Sequence, residues 1–148
     1  MHRGSCLCGA IRYTIESDLK AVFNCHCRFC RRAHGAAFTT LLFMPFPNLS
    51  VVTGADCIER YHVPAMGVPA MGGADRCFCN KCGTRLYNHA PSQGMISLVV
   101  ATLEPGPGVQ PLAHVNIESK CSWFQIHDGL PQFAAFPPPA EFARLLSN

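Results

Sequence analysis

Charge, tryptophan and long apolar runs are all scarce in this 148-residue sequence. Asp, Glu, Lys and Arg make up only 14% of it against 49% apolar residues, which excludes a solvated, disordered chain and points to a globular one. There is no Lys/Arg run and the formal charge is +3. That balance argues against a nucleic-acid partner and leaves room for a small anionic ligand. The longest apolar run, Ala36 to Met44, holds two threonines and ends at Pro45. It is too short to span a bilayer, so no membrane partner is expected. The opening Met1-His2-Arg3-Gly4-Ser5-Cys6 has no apolar segment of the kind that marks a secretory signal. Helical periodicity never persists beyond about two turns.

Against these shortages stand ten cysteines, twelve glycines and twelve prolines. A chain of this length buries roughly 70% of its unfolded surface and needs no covalent staples. The thiols come in tight sequence clusters, as metal sites require, rather than the dispersed pattern of a disulfide framework, and a reducing cytoplasm follows from that reading. Short β-type runs recur at Ala10–Ile15, Phe38–Phe43, Ile96–Val100 and Trp123–Ile126, separated by Gly, Pro and Asn. They predict one mainly antiparallel β domain. Helix is expected only near Cys27–Ala33 and at Ala140–Leu146, the latter after three prolines and with Phe142, Leu145 and Leu146 at amphipathic spacing. Val63-Pro64-Ala65-Met66-Gly67 is repeated at once as Val68-Pro69-Ala70-Met71-Gly72. Its prolines and glycines suit a surface loop better than a sheet, and a ligand role for its methionines is the lesser alternative.

Cys79-Asn80-Lys81-Cys82-Gly83 is the strongest single motif. Two cysteines on a tight turn can face one ion, and the glycine permits the φ that closes the turn. Cys6 and Cys8 are separated by one residue, and in an extended segment i and i+2 share a face. Together the pairs supply four thiolates for a closed tetrahedral zinc site. Cys25, Cys27 and Cys30 are then left as three ligands, the layout of an open zinc site. Spacing alone leaves the division undecided, because Cys77, Cys79 and Cys82 repeat the pattern of Cys25, Cys27 and Cys30.

Four blocks carry a resemblance: Gly4–Tyr13, Cys25–Arg32, Phe78–Tyr87 and Ser119–Phe124. In this order they resemble the glutathione-dependent formaldehyde-activating enzyme family, which shares its domain with centromere protein V. The resemblance implies a mainly β fold of zinc-pinned antiparallel sheets of the β-tent type with short helical pieces. It implies one zinc-binding domain over residues 1–148, with 63–73 a variable loop and 137–148 a tail with a short helix. It places a structural zinc on Cys6, Cys8, Cys79 and Cys82 and a second, activity-linked zinc on Cys25, Cys27 and Cys30, hence two ions per chain. Cys57, Cys77 and Cys121 are extras, expected as buried thiols.

Three thiolates make zinc a poor activator of water and a good holder of an incoming thiol. The expected activity is a carbon–sulfur lyase that joins or cleaves an adduct of glutathione, or a related small thiol, with formaldehyde or a related aldehyde. The alternative is a zinc-scaffolded protein-interaction module. Glutathione carries two carboxylates, so Arg28, Arg31, Arg32 and Lys120 are candidate substrate contacts, with Lys81 and Arg85 behind them. Solvated surface cations are the plainer reading of each. His26 and His34 flank the triple and are candidates for proton transfer or a fourth ligand. Trp123 is a candidate pocket residue, although a sole tryptophan in an apolar run is expected in the core.

Overall fold

The computed structural model describes residues 1–64, 73–104 and 108–147. Most of the expected 63–73 loop, including both methionines of the repeat, lies outside the described residues, as does residue 148 of the expected tail. The fold is mainly β, with two sheets and two short α-helices among the described residues. In chain order the elements are β1 (His2–Ser5), β2 (Arg12–Ile15), β3 (Val22–Cys25), α1 (Arg28–His34), β4 (Thr39–Pro45), β5 (Leu49–Thr53), β6 (Ile58–Val63), β7 (Ala74–Cys79), β8 (Arg85–Ala90), β9 (Met95–Val99), β10 (Ala113–Val115) and α2 (Pro139–Ser147).

The chain forms two compact units. The first comprises Met1–Asp18 and Leu42–Gly108. In it, β2 lies antiparallel between β1 and β5, while β6, β7, β8 and β9 form an antiparallel run. Strand β9 shows the period-2 logic clearly: Ile96 and Leu98 are fully buried, while Met95 and Ser97 point away from the core. Ile11, Ile15, Leu42 and Leu86 complete this core, each contributing about 1.5–3 kcal/mol of burial. Between Cys77 and Phe78 the β7–β8 register shifts. The extra residue, Leu86, is on β8, so β7 keeps its alternation and Cys77 and Cys79 are both buried.

The second unit comprises Leu19–Leu41 and Val109–Asn148. Its centre is a parallel pair of β3 and β10, with Phe23 opposite Ala113, Asn24 opposite His114 and Val115 opposite Cys25. Every residue of both strands is buried, as a parallel pair covered on both faces requires. Phe23 meets Phe136 and Phe142 at ring-centroid distances of 5.4 and 5.5 Å. Phe142 and buried Leu145 are thus the inward face of α2, at the spacing the sequence predicts.

Two sequence expectations are corrected in this unit. Trp123–Ile126 is not a strand. The Lys120 ammonium donates to the Phe124 carbonyl at 2.5 Å and to the Cys121 carbonyl at 3.3 Å, and the Phe124 N–H turns back to the Cys121 carbonyl at 3.4 Å. The groups a strand would offer to a neighbour are used inside a turn. Trp123, expected in the core, is 72% exposed on that turn.

Candidate functional site

Two groups of cysteine sulfurs converge, one in each unit. In the first unit the Sγ atoms of Cys6, Cys8, Cys79 and Cys82 all lie within 4.8 Å of one another, with Cys6 to Cys8 at 3.5 Å and Cys8 to Cys79 at 3.9 Å. Cys6 and Cys8 sit in the β1–β2 connection, and Cys79 and Cys82 bracket the β7–β8 turn. That turn closes through Gly83 N–H to the Cys79 carbonyl at 2.8 Å and Cys79 N–H to the Thr84 carbonyl at 2.9 Å. Gly83 has φ +73°, the left-handed value that glycine adopts without cost. Thr84 ties the two segments together, its Oγ1 accepting from the Leu7 N–H at 3.0 Å and lying 3.2 Å from Cys82 Sγ. The Thr84 hydroxyl is the largest influence pulling the Cys82 thiol down to about 5. Cys77 is not in this group; it is buried, and burial pushes its thiol up to about 11. Cys57 and Cys121 are buried as well.

In the second unit the sulfurs of Cys25, Cys27 and Cys30 lie within 4.8 Å of one another. Cys25 ends β3. Cys27 is the N-cap of α1, its sulfur accepting the Cys30 N–H at 3.3 Å, so one short turn gathers two of the three thiols. No further His, Cys, Asp or Glu ligand atom joins either group among the described residues. The neighbouring Cys27 thiol is the first cause pushing Cys25 up to about 11, and Cys25 is the first cause holding Cys30 well above the ordinary thiol value. Three adjacent sulfurs resist ionising together, and a bound cation removes that resistance. Both sets, one of four sulfurs and one of three, fit a thiophilic ion such as zinc.

A chain of polar side chains starts at His26, between Cys25 and Cys27. The His26 N–H donates to the Val115 carbonyl at 3.0 Å. His26 Nε2 lies 2.7 Å from His114 Nδ1, and His114 Nε2 lies 2.8 Å from Asp128 Oδ2. The carboxylate can only accept, so His114 carries its proton on Nε2, and His26 therefore carries its own on Nε2. The His26 ring is fully buried between Phe38 and Phe124, and burial lowers its pKa to about 4. Its Nδ1 has no hydrogen-bond partner among the described residues, and the ring faces His114 rather than joining the three sulfurs as a ligand.

The other residues singled out by sequence are divided between the units. Arg28, Arg31, Arg32 and His34 all lie on α1. Arg28 and Arg32 are exposed; Arg31 is half-buried, its Nε donating to the His26 carbonyl at 3.3 Å. Lys120 and Trp123 lie on the turn after β10, in the same unit. Lys81 and Arg85 belong to the first unit, where Arg85 donates to Asn88 Oδ1 and the Arg76 carbonyl, both at 3.3 Å. His114, Asn116 and Asp128 escape sequence reasoning. They meet the triple only through a parallel pairing about ninety residues apart, for which the sequence holds no local signal.

The sequence profile of the family described as "Glutathione-dependent formaldehyde-activating enzyme" matches residues 1–119. The chain belongs to this family. A Halomonas elongata protein named "Putative glutathione-dependent formaldehyde-activating enzyme" is 27% identical over 126 residues, 83% of this chain and 79% of that protein. Proteins of the same name from Aspergillus flavus and Aspergillus oryzae are 29% identical over 133 residues, and the match spans only 58% of their length. A Rhodobacter sphaeroides crystal structure aligns with a TM-score of 0.57 at 26% identity, over 72% of this chain and 92% of that one. In this glutathione-dependent formaldehyde-activating enzyme family member, all four blocks of the resemblance fall wholly or partly within residues 1–119. No helix among the described residues is long and apolar enough to cross a membrane.

Proposed function

We propose that the protein is a zinc-dependent carbon–sulfur lyase that joins glutathione, or a related small thiol, to formaldehyde and cleaves the adduct in reverse. The observation carrying this reading is the contrast between the two groups: four sulfurs in one, three in the other. A four-thiolate set is a closed structural site, whereas three protein ligands leave a position for a substrate. In this reading Cys6, Cys8, Cys79 and Cys82 hold the structural ion, and Cys25, Cys27 and Cys30 hold the second. When bound there, zinc supplies the positive charge that keeps a substrate thiol ionised at neutral pH.

The rest of the reaction is simple in its balance. The sulfur lone pair forms the carbon–sulfur bond, the carbonyl π pair moves to oxygen, and that oxygen takes up the proton the thiol released. Nothing is oxidised or reduced. Arg28 and Arg32 stand at i and i+4 on the exposed side of α1, where they bind and orient the carboxylates of glutathione. Arg31 fixes the His26 backbone and contributes positive potential. Two of the three Lys120 donors are engaged by backbone carbonyls, so Lys120 holds the Trp123 turn and offers at most one proton to a ligand. Exposed Trp123, on the turn that Lys120 holds, would offer a ligand an apolar plane. Clustered free thiols suit a reducing cytoplasm.

Saturation-transfer NMR of a glutathione–formaldehyde mixture tests the activity. Added protein should speed magnetisation transfer between free glutathione and S-hydroxymethylglutathione well beyond the buffer rate, and the Cys27→Ser variant should return it to that rate. Wild-type protein that leaves the buffer rate unchanged would refute the lyase reading.

A further inference from the structure

Asn116 adopts a left-handed backbone conformation, and its side chain is committed to a sulfur. Its φ is +57° and ψ +37°, one of only two non-glycine positions with positive φ among the described residues. Asparagine tolerates this left-handed conformation better than most residues, so the backbone alone marks an ordinary turn. The residue also occupies the N-cap of the 3₁₀ turn Ile117–Ser119, where an asparagine side chain usually accepts a backbone N–H. Here it makes no such capping bond. Its Nδ2 instead donates to Cys25 Sγ at 3.3 Å, an ordinary length for an N–H···S contact. The backbone conformation and the unused capping role thus both serve one contact, across 91 residues, to a sulfur of the triple.

We infer that Asn116 is a positioning residue for the three-thiol site, holding the Cys25 sulfur in register for a metal ion. Partners behind the ligands of a metal site commonly set its affinity by about 10–100-fold. The contact is anchored from both sides. Val115 pairs with Cys25 across β10 and β3, and the Asn116 N–H donates to the Ala135 carbonyl at 3.2 Å. The four-thiol group uses Thr84 and the Ile11 N–H for comparable contacts to Cys82 and Cys6, so each cluster has its own supporting donor. This inference rests on the reading of Cys25, Cys27 and Cys30 as metal ligands.

The test is cadmium-113 NMR of protein loaded with cadmium, together with chelator competition for the bound ions. Asn116→Gly is the informative variant, because glycine keeps the left-handed backbone and removes only the donor. Asn116→Asp retains a residue that tolerates this φ and replaces the donor with an acceptor. Wild type should bind two ions with two resonances. In Asn116→Gly the resonance of the three-sulfur site should shift, and its ion should be withdrawn at about ten-fold lower chelator concentration or less. The four-sulfur resonance should stay in place as the internal reference, and Asn116→Asp should weaken the site at least as much. Two ions in wild type with unchanged affinity in both variants would overturn this inference alone. A single ion in wild type would overturn both it and the reading of the triple as a metal site.

Discussion

Asp128 has a side chain 46% exposed, yet its carboxylate decides which nitrogen of a fully buried histidine carries a proton. The bond from His114 is the first cause holding its pKa below the ordinary carboxylate value. A depressed folded pKa means that the carboxylate's contribution to stability is present above the unfolded value of about 3.9 and is lost as pH falls through the folded one. Denaturant titrations of wild type and Asp128→Asn across this range should show the variant less stable at neutral pH. The gap between them should close on acidification. A second residue-scale prediction concerns Gly54. Its φ is +70°, and a Cβ there would sit 2.2 Å from the Ala10 carbonyl oxygen, a backbone atom with no freedom to rotate away. Gly54→Ala should therefore cost more than about 2 kcal/mol, read as a shift in the urea midpoint.

At the scale of elements, the β7–β8 turn and the β1–β2 connection are joined in the first unit by four sulfurs and Thr84. Chelator treatment should release hydrogen-exchange protection at the amides of Cys79 and Gly83, while β9, held by apolar packing, keeps its own. The same experiment on Cys27→Ser without chelator should leave those amides protected. The elements also show what could be read from sequence. Helices α1 and α2 fall within a residue or two of the predicted spans; for α2 the signal is local, prolines followed by Phe142, Leu145 and Leu146. Parts of β2, β4 and β9 were legible by their apolar runs. Strands β3 and β10 were not, since each is short and acquires its meaning only by pairing with the other. The Trp123–Ile126 run misleads because its apolar composition suits a strand, while Lys120 takes the Phe124 carbonyl and the Phe124 N–H turns back to Cys121. The β8 bulge at Leu86 is equally hidden, and Cys77, two residues before Cys79 on β7, lies outside the four-sulfur group.

For the whole molecule, the cysteine spacing predicts clustered thiols and leaves open which triple stands apart. The geometry groups four sulfurs in the first unit and three in the second. The division of labour proposed here, one ion for the fold and one for thiol–aldehyde chemistry, makes a demand on stoichiometry. Native mass spectrometry of wild type beside Cys27→Ser tests that demand most directly. Wild type should carry two zinc ions per chain, and the variant should carry one while retaining the charge-state distribution of a folded protein. A wild type with one ion, or a variant that loses both ions and unfolds, would contradict the account.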